Sequence, residues 1–266
     1  MLTEKIRPRK SLGQNFLQDQ NIVRKIIGAL HLSAVDHVLE IGPGQGALTR
    51  LILPAAALVV AVEIDARMVQ LLHEQFSNWP NFVLRQEDVL RSDFQHLLAA
   101  AARWKVVANL PYHITSPVIF KLMAHRNSIV SATLMVQREV AERIVAGPGS
   151  KAYGILSVLS QYHADVKWLF PVSRHVFVPR PKVDSAVIQY HFRPETRLDE
   201  DGEALFQQIV KTTFNKRRKM LRHSLRSMPQ IKIDLNQVDF DLELRPEQLS
   251  VDGFIELSRQ IRKQLA

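Results

Sequence analysis

Between His37 and Gln137, short apolar runs alternate with amphipathic stretches, and the alternation predicts secondary structure directly. The runs at 38–41, 58–62, 82–84, 105–108 and 129–136 have the length and β-branched content of buried strands. The stretches at 47–53, 66–75, 94–102 and 116–125 between them carry apolar residues at helical spacing. Strand–helix alternation makes parallel strands with right-handed crossovers, so an α/β, Rossmann-like doubly wound sheet is expected. Two more strands, at 165–169 and 186–192, follow a helical stretch at 153–162 and lie close together. They predict a hairpin closing one edge, for seven strands in all. Ahead of the sheet, Ile22, Val23, Ile26, Ile27 and Leu30 form a helical stripe behind a basic head containing Arg7, Arg9 and Lys10.

The polar stretch 193–202 interrupts this pattern and reads as a linker. Beyond it, helices are predicted at 204–228, 235–240 and 251–264. The expected organisation is a catalytic domain over 1–194 and a small all-helical domain over 195–266. A chain of 266 residues is long enough for both. With 46% hydrophobic and 23% charged residues, global disorder is excluded. No run of about 18 apolar residues is free of charge, and Met1–Lys5 lack the apolar core of a signal peptide, so a cytoplasmic protein outside the membrane is expected. The absence of cysteine removes disulfides, thiolate metal sites and thiol catalysis together. The ten histidines are scattered without metal-ligand spacing, so no metal site is read.

The first candidate chemistry is at Val38-Leu39-Glu40-Ile41-Gly42-Pro43-Gly44-Gln45-Gly46, a strand running into a glycine-rich turn. Gly42 and Gly44 admit a ligand where a Cβ would collide. The second strand ends in Glu63, which can accept hydrogen bonds from ribose hydroxyls. Asp65 reads more readily as the cap of the next helix. Glu87-Asp88 ends the third strand, within reach of an adenine amino group. Together they describe an adenosine-containing cofactor. The spacing G-x-G-x-G, with no further glycine to pack a pyrophosphate turn, favours S-adenosylmethionine over NAD.

The fourth strand runs into Asn109-Leu110-Pro111-Tyr112, facing the same crevice. Asn and Pro after a strand are common turn residues, but adenine chemistry asks for such a turn. The exocyclic nitrogen of adenine is a poor nucleophile because its lone pair is delocalised into the ring. The Asn109 side-chain oxygen and the Leu110 carbonyl could accept its two protons and expose the lone pair. Tyr112 offers a face for an extruded base.

Gly13-Gln14-Asn15-Phe16-Leu17, Glu40-Ile41-Gly42-Pro43-Gly44, Asn109-Leu110-Pro111-Tyr112 and Pro181-Lys182-Val183-Asp184-Ser185 stand in an order that resembles the ribosomal RNA adenine N6,N6-dimethyltransferases, small-subunit type. Phe214–Lys219 is similar to that family's C-terminal domain. The resemblance implies dimethylation of two adjacent adenosines in a hairpin loop near the 3′ end of small-subunit ribosomal RNA. It further implies a partly assembled subunit as partner; a monomer is expected, although the sequence itself does not fix the oligomeric state. It adds Asn15 and Leu17 to Gly42, Gly44, Glu63, Asp88 and Asn109 at the cofactor site. It also places Phe177 against the target base opposite Tyr112. Read alone, Gln14-Asn15 looks like a helix cap and Phe177 like a core residue.

The charge of +9 is concentrated. Lys211, Lys216, Arg217, Arg218, Lys219, Arg222 and Arg226 crowd one segment, where Lys211, Arg218, Lys219, Arg222 and Arg226 gather opposite a stripe of Phe206, Val210, Phe214, Leu221 and Leu225. Lys211, Arg218, Lys219, Arg222 and Arg226, with the basic head, are the candidate RNA phosphate contacts, against a merely solvated face. Arg217 falls on the apolar stripe, which predicts a helix break near Asn215 or a partnered arginine at a domain contact. Asp184 is read as a local pair with Lys182. Three rival functions remain: a large-subunit adenine methyltransferase, a non-catalytic assembly factor, and an NAD-dependent dehydrogenase.

Overall fold

The computed structural model describes residues 7–98, 103–228 and 234–265. The chain forms two compact units, one of residues 1–141 and 165–193, the other of 142–164 and 194–266. A break at 194 recurs here, but 142–164 groups with the second unit and not with the sheet, which a single cut at that point does not describe.

The first unit is built on strands β2 (His37–Ile41), β3 (Leu58–Glu63), β4 (Phe82–Gln86), β5 (Trp104–Asn109), β6 (Ile129–Gln137), β7 (Ala164–Val172) and β9 (Ser185–Phe192). Their order is β4-β3-β2-β5-β6-β9-β7. Neighbours from β4 to β6 are parallel, and β9 is antiparallel to β6. The last two strands are adjacent, as the hairpin reading requires, but β9 is interior and β7 takes the edge. Val38, Val59, Val107, Met135 and Val187 bury the sheet against α1 (Gln20–Leu30) and α3 (Ala66–Phe76) through Val23, Ile26, Leu72 and Phe76. Helices α2 (Thr49–Ile52), α4 (Phe94–Leu97) and α5 (Thr115–Ala124) complete this unit. Both α2 and α4 are shorter than their apolar pattern; the rest of the stretch predicted to 102 includes residues 99–102, outside the described ones.

Three elements had no usable pattern. Phe16–Leu17 (β1) and Phe177–Val178 (β8) form a two-stranded ladder pairing Phe16 with Val178 and Leu17 with Phe177. Strands of two residues have no periodicity to read. Helix α6 (Arg138–Val145) follows β6 without a break, so its apolar positions merge with the strand's.

The second unit contains α7 (Ile155–His163), α8 (Glu200–Asn215), α9 (Leu221–Leu225) and α10 (Val251–Lys263). Tyr162 stacks on Phe206 at 4.4 Å, and Phe214 meets Tyr153 at 5.9 Å and Phe254 at 5.8 Å. The continuous helix predicted over 204–228 is divided after Asn215. Four consecutive cations, Lys216 to Lys219, repel one another in a helix. Arg217 leaves the helical path to donate to Glu247 at 2.6 Å and to the carbonyls of Lys151 and Ser150 at 2.8 and 3.0 Å. The break near Asn215 is therefore present and Arg217 is partnered, but its partners lie within the second unit and not at a domain contact. The stretch 235–240 is a turn and not a helix, because Asp234 accepts the Asn236 amide at 3.0 Å and offers the backbone an alternative hydrogen bond.

Candidate active site

The carboxyl ends of β2, β3, β4 and β5 surround a cavity of about 370 Å³. Its lining brings together Asn15, Leu17, Gly42, Gly44, Glu63, Asp88, Asn109, Leu110, Tyr112 and Phe177, residues 162 positions apart at the extremes (177 − 15). Every cofactor and catalytic candidate read from the sequence thus meets in one place.

The glycines there differ in what they do. Gly42, Gly44 and Gly46 all have positive φ, at 67°, 56° and 75°, a region that costs an L-residue strain. A Cβ on Gly42 would meet nothing within 4 Å, so the space above it belongs to the cavity. One on Gly44 would approach the Phe16 ring at 3.1 Å, and one on Gly46 would collide with Phe76 at 2.5 Å. Gly46 is required by packing.

Glu63, 5% exposed, accepts three main-chain N–H groups: Ile64 and Asp65 at 2.9 Å on Oε1 and Gly44 at 3.1 Å on Oε2. A carboxylate has about four acceptor positions, so one remains on Oε2. Burial raises its pKa despite those bonds. Glu40, beneath the turn, is held by the Thr49 hydroxyl at 2.7 Å, and burial pushes its carboxyl up to about 7. Asp88 lies two residues beyond the end of β4, with a side chain 34% exposed.

The Asn109–Tyr112 turn is fixed at several points. Leu110 N–H donates to Met135 O at 3.0 Å, and the Thr115 hydroxyl donates to Pro111 O at 3.1 Å. Asn109 Nδ2 donates to Asn15 O at 3.1 Å. Its amide is then oriented with Oδ1 left as the acceptor. Tyr112 is half-buried and hydrogen-bonded to Ser185; burial raises its phenol. Phe177 is 3% exposed, as a core residue would be, yet it lines the cavity.

Asn15 and Gln14 are not helix caps. Asp19 caps α1, accepting from Asn21 and Ile22. Gln14 instead donates to Asp65 Oδ2 at 2.9 Å and accepts from Arg9 N–H at 2.8 Å, while Asn15 Nδ2 bonds Gly13 O at 3.1 Å. Asp65 does cap α3. It also holds Arg67 at 3.0 Å through Nε, and Arg67 Nη1 donates to Arg7 O at 2.9 Å. The Arg67 guanidinium holds the Asp65 carboxyl down at about 2. The N-terminal segment is thereby latched along one wall of the cavity. Asp184 pairs with Arg174 N–H at 2.9 Å, and Lys182 offers only its carbonyl, to Arg174 Nη1 at 2.9 Å. The expected Asp184–Lys182 pair is corrected accordingly.

Ile64, Val89 and Leu90 also line the cavity. Sequence reasoning missed them because apolar residues at strand ends look like core. The available signal was an apolar residue, Ile64, set between two carboxylates, Glu63 and Asp65, at the end of a strand. In the first unit, Arg7, Arg9 and Lys10 are near the N-terminal latch. In the second, Lys211, Arg218, Lys219 and Arg226 are exposed, whereas Arg222 is paired with Glu243 at 3.2 Å and Asn236 at 3.0 Å. Because the helix breaks, they do not share one helical face. Among the described residues, no group of three or more His, Cys, Asp or Glu could hold a metal, and no helix is long and apolar enough to cross a membrane.

A doubly wound sheet with an open glycine turn, a buried glutamate lining the crevice and an Asn-Leu-Pro-Tyr turn at its switch point defines an S-adenosylmethionine-dependent methyltransferase. Residues 5–261 match the ribosomal RNA adenine dimethylase family, and the chain belongs to it. The ribosomal RNA small subunit methyltransferase A of Chlorobium phaeobacteroides (strain BS1) is 45% identical over 255 residues, covering 96% of this chain and 94% of that protein. The protein of the same name from Pseudomonas fluorescens Pf-5 is 40% identical over 258 residues, covering 97% and 95%. Among solved structures, a dimethyladenosine transferase from Plasmodium falciparum superposes with a TM-score of 0.81 at 27% identity, over 94% of this chain and 98% of that one. The 23S rRNA methyltransferase ErmE gives 0.73 at 26% identity, over 93% and 100%.

Proposed function

We propose that this protein dimethylates N6 of two adjacent adenosines in a hairpin near the 3′ end of small-subunit ribosomal RNA, acting as a cytoplasmic monomer on a partly assembled subunit. The observation that carries this is the Asn109 amide in the lining of the cavity, its Nδ2 committed to Asn15 O and its Oδ1 left as an acceptor. S-adenosylmethionine, when bound, supplies the methyl group from its sulfonium. Gly42 leaves room for its methionine end, the free position on Glu63 Oε2 takes a ribose hydroxyl, and Asp88 accepts from the adenine amino group. Asn15, Leu17 and Ile64 close around it.

On the substrate side, Tyr112 and Phe177 sandwich the extruded base. Asn109 Oδ1 and Leu110 O accept the two N6 protons and draw the nitrogen towards tetrahedral geometry. The amine becomes acidic on methylation, so water takes its proton and no strong base is required. Catalysis by positioning suffices. Lys211, Arg218, Lys219, Arg222 and Arg226, with Arg7, Arg9 and Lys10, neutralise RNA phosphates and orient the substrate without reading its sequence.

The likeness to ErmE supports a large-subunit substrate as the second reading. The higher identity to proteins named for the small subunit favours the first. Labelled cofactor should transfer methyl groups to undermethylated small subunits and not to large subunits; transfer to large subunits alone would reverse the assignment.

A further inference from the structure

Lys121 lies on α5, the helix that follows the Asn109–Tyr112 turn, and its ammonium is turned onto a single loop. Nζ donates to the carbonyls of Val89 at 2.9 Å, Leu90 at 3.0 Å and Ser92 at 2.6 Å. An ammonium has three donors, so this set is complete. The Phe94 ring lies 4.7 Å from Nζ. Burial pulls the ammonium's pKa down, opposed by the charges of Asp88, Asp93 and Glu87.

The loop so gripped is the one that presents Asp88. Asp88 Oδ1 accepts Leu90 N–H at 2.9 Å, and its carbonyl accepts Arg91 and Ser92 N–H at 2.8 and 2.9 Å. These bonds make the loop a tight turn whose outer carbonyls converge on Lys121. Three carbonyl dipoles aimed at one point repel each other unless a cation stands between them.

We propose that Lys121 is a positioning residue that holds Asp88 at the height of the cofactor's adenine amino group, fastening the base-recognition loop to the helix that carries the catalytic turn. The proposal rests on the reading of Asp88 given above. It assigns Lys121 to discrimination of the base, and no contact with cofactor or RNA is required of it.

The test compares binding of S-adenosylhomocysteine with S-inosylhomocysteine, in which a carbonyl replaces the 6-amino group. A charge-assisted hydrogen bond at Asp88 predicts a wild-type preference for adenine of about tenfold or more. Lys121→Met keeps the stem and loses the charge; its preference should fall below about threefold by weakening the adenine ligand selectively. A merely structural lysine would lower Tm and weaken both ligands alike.

The absence of cysteine permits a cleaner variant. In Lys121→Cys the single thiolate displaces bromide from 2-bromoethylamine, giving a thioether isostere of lysine with its ammonium restored. Alkylation with 1-bromopropane gives the same length without charge. The aminoethyl protein should recover the adenine preference and the propyl protein should not, and this pair decides the matter if Lys121→Met fails to fold. A propyl protein or a folded Lys121→Met with the full wild-type preference would overturn the proposal. If wild-type protein bound neither nucleoside, the cofactor assignment would fall, and this proposal with it. If it bound both equally, the role of Asp88 would be refuted while cofactor binding stood.

Discussion

The side-chain amide of Asn109 donates through Nδ2 to the main-chain carbonyl of Asn15, 3.1 Å away and 94 positions earlier in the chain. This bond commits Nδ2, leaves Oδ1 as the acceptor of the amide, and joins the Gly13–Leu17 segment to the Asn109–Tyr112 turn. Asn109→Ala should lower methyl transfer about 10²–10³-fold, as loss of a preorganised polar group does, while cofactor affinity changes far less. Asn109→Asp separates orientation from acceptor capacity. It keeps an acceptor oxygen but cannot donate to Asn15 O, so its turnover should fall as far as alanine's. Single-turnover assays with a parallel cofactor titration check both.

Gln14 tests the latch. Gln14→Ala removes the tie to Asp65 and the acceptor for Arg9 N–H. Cofactor affinity should fall about tenfold, the cost of one hydrogen bond to a charged group, with turnover at saturating cofactor nearly unchanged. Trypsin should also cut faster after Arg9. Unaltered affinity and cleavage would show that the segment stays in place without this bond.

The glycines predict a division of effects. Gly46→Ala drives a Cβ to 2.5 Å from Phe76 and should lower stability by about 1–3 kcal/mol, an overpacking cost seen as a reduced Tm. Gly42→Ala has no protein neighbour within 4 Å and meets only the strain of φ 67°. It should lose about 1 kcal/mol while weakening cofactor binding more than Gly46→Ala does.

These contrasts also show where the sequence was legible. The parallel strands β2, β3, β5 and β6 were readable because buried parallel strands are continuous apolar runs, and Gly42, Glu63, Asp88 and Asn109 followed from strand ends meeting at one edge. Leu17 and Phe177 could not be read that way: they pair across a two-residue ladder that has no period. The interruption of the C-terminal helix was signalled by one residue, Arg217, whose charge contradicted its apolar position. Lys121 gave no signal, because its role depends on three carbonyls whose direction only the fold determines.

Glu40 predicts a pH dependence. Its folded-state pKa of about 7 exceeds the ordinary 4.5, so folding favours the protonated form. That stabilisation is fully present below pH 4.5 and is lost as pH rises through 7. Glu40→Gln stays neutral and can still accept from Thr49, so it should gain stability relative to wild type between pH 5 and 8. The gain should approach about 3 kcal/mol, from about 2.5 pH units at 1.36 kcal/mol each. Denaturant titrations of both proteins across that range measure it, and a constant difference would contradict it.

Among the basic residues, Arg217 is committed to Glu247 and two carbonyls, whereas Lys211, Arg218, Lys219 and Arg226 are exposed. Replacing those four by alanine should weaken RNA binding and flatten its salt dependence by up to about 3 in log–log slope, at about 0.7–0.9 for each phosphate no longer neutralised. Arg217→Ala should lower Tm with little change in slope.

Nucleoside mass spectrometry with position mapping reads both the target of methylation and the part played by Asn109. Undermethylated small subunits are incubated with S-adenosylmethionine and either wild-type protein or Asn109→Ala. The expected product is N6,N6-dimethyladenosine at two adjacent positions in a hairpin near the 3′ end of the RNA, formed by wild type and nearly absent with the variant. Dimethylation elsewhere, none with wild type, or equal product from Asn109→Ala would contradict it.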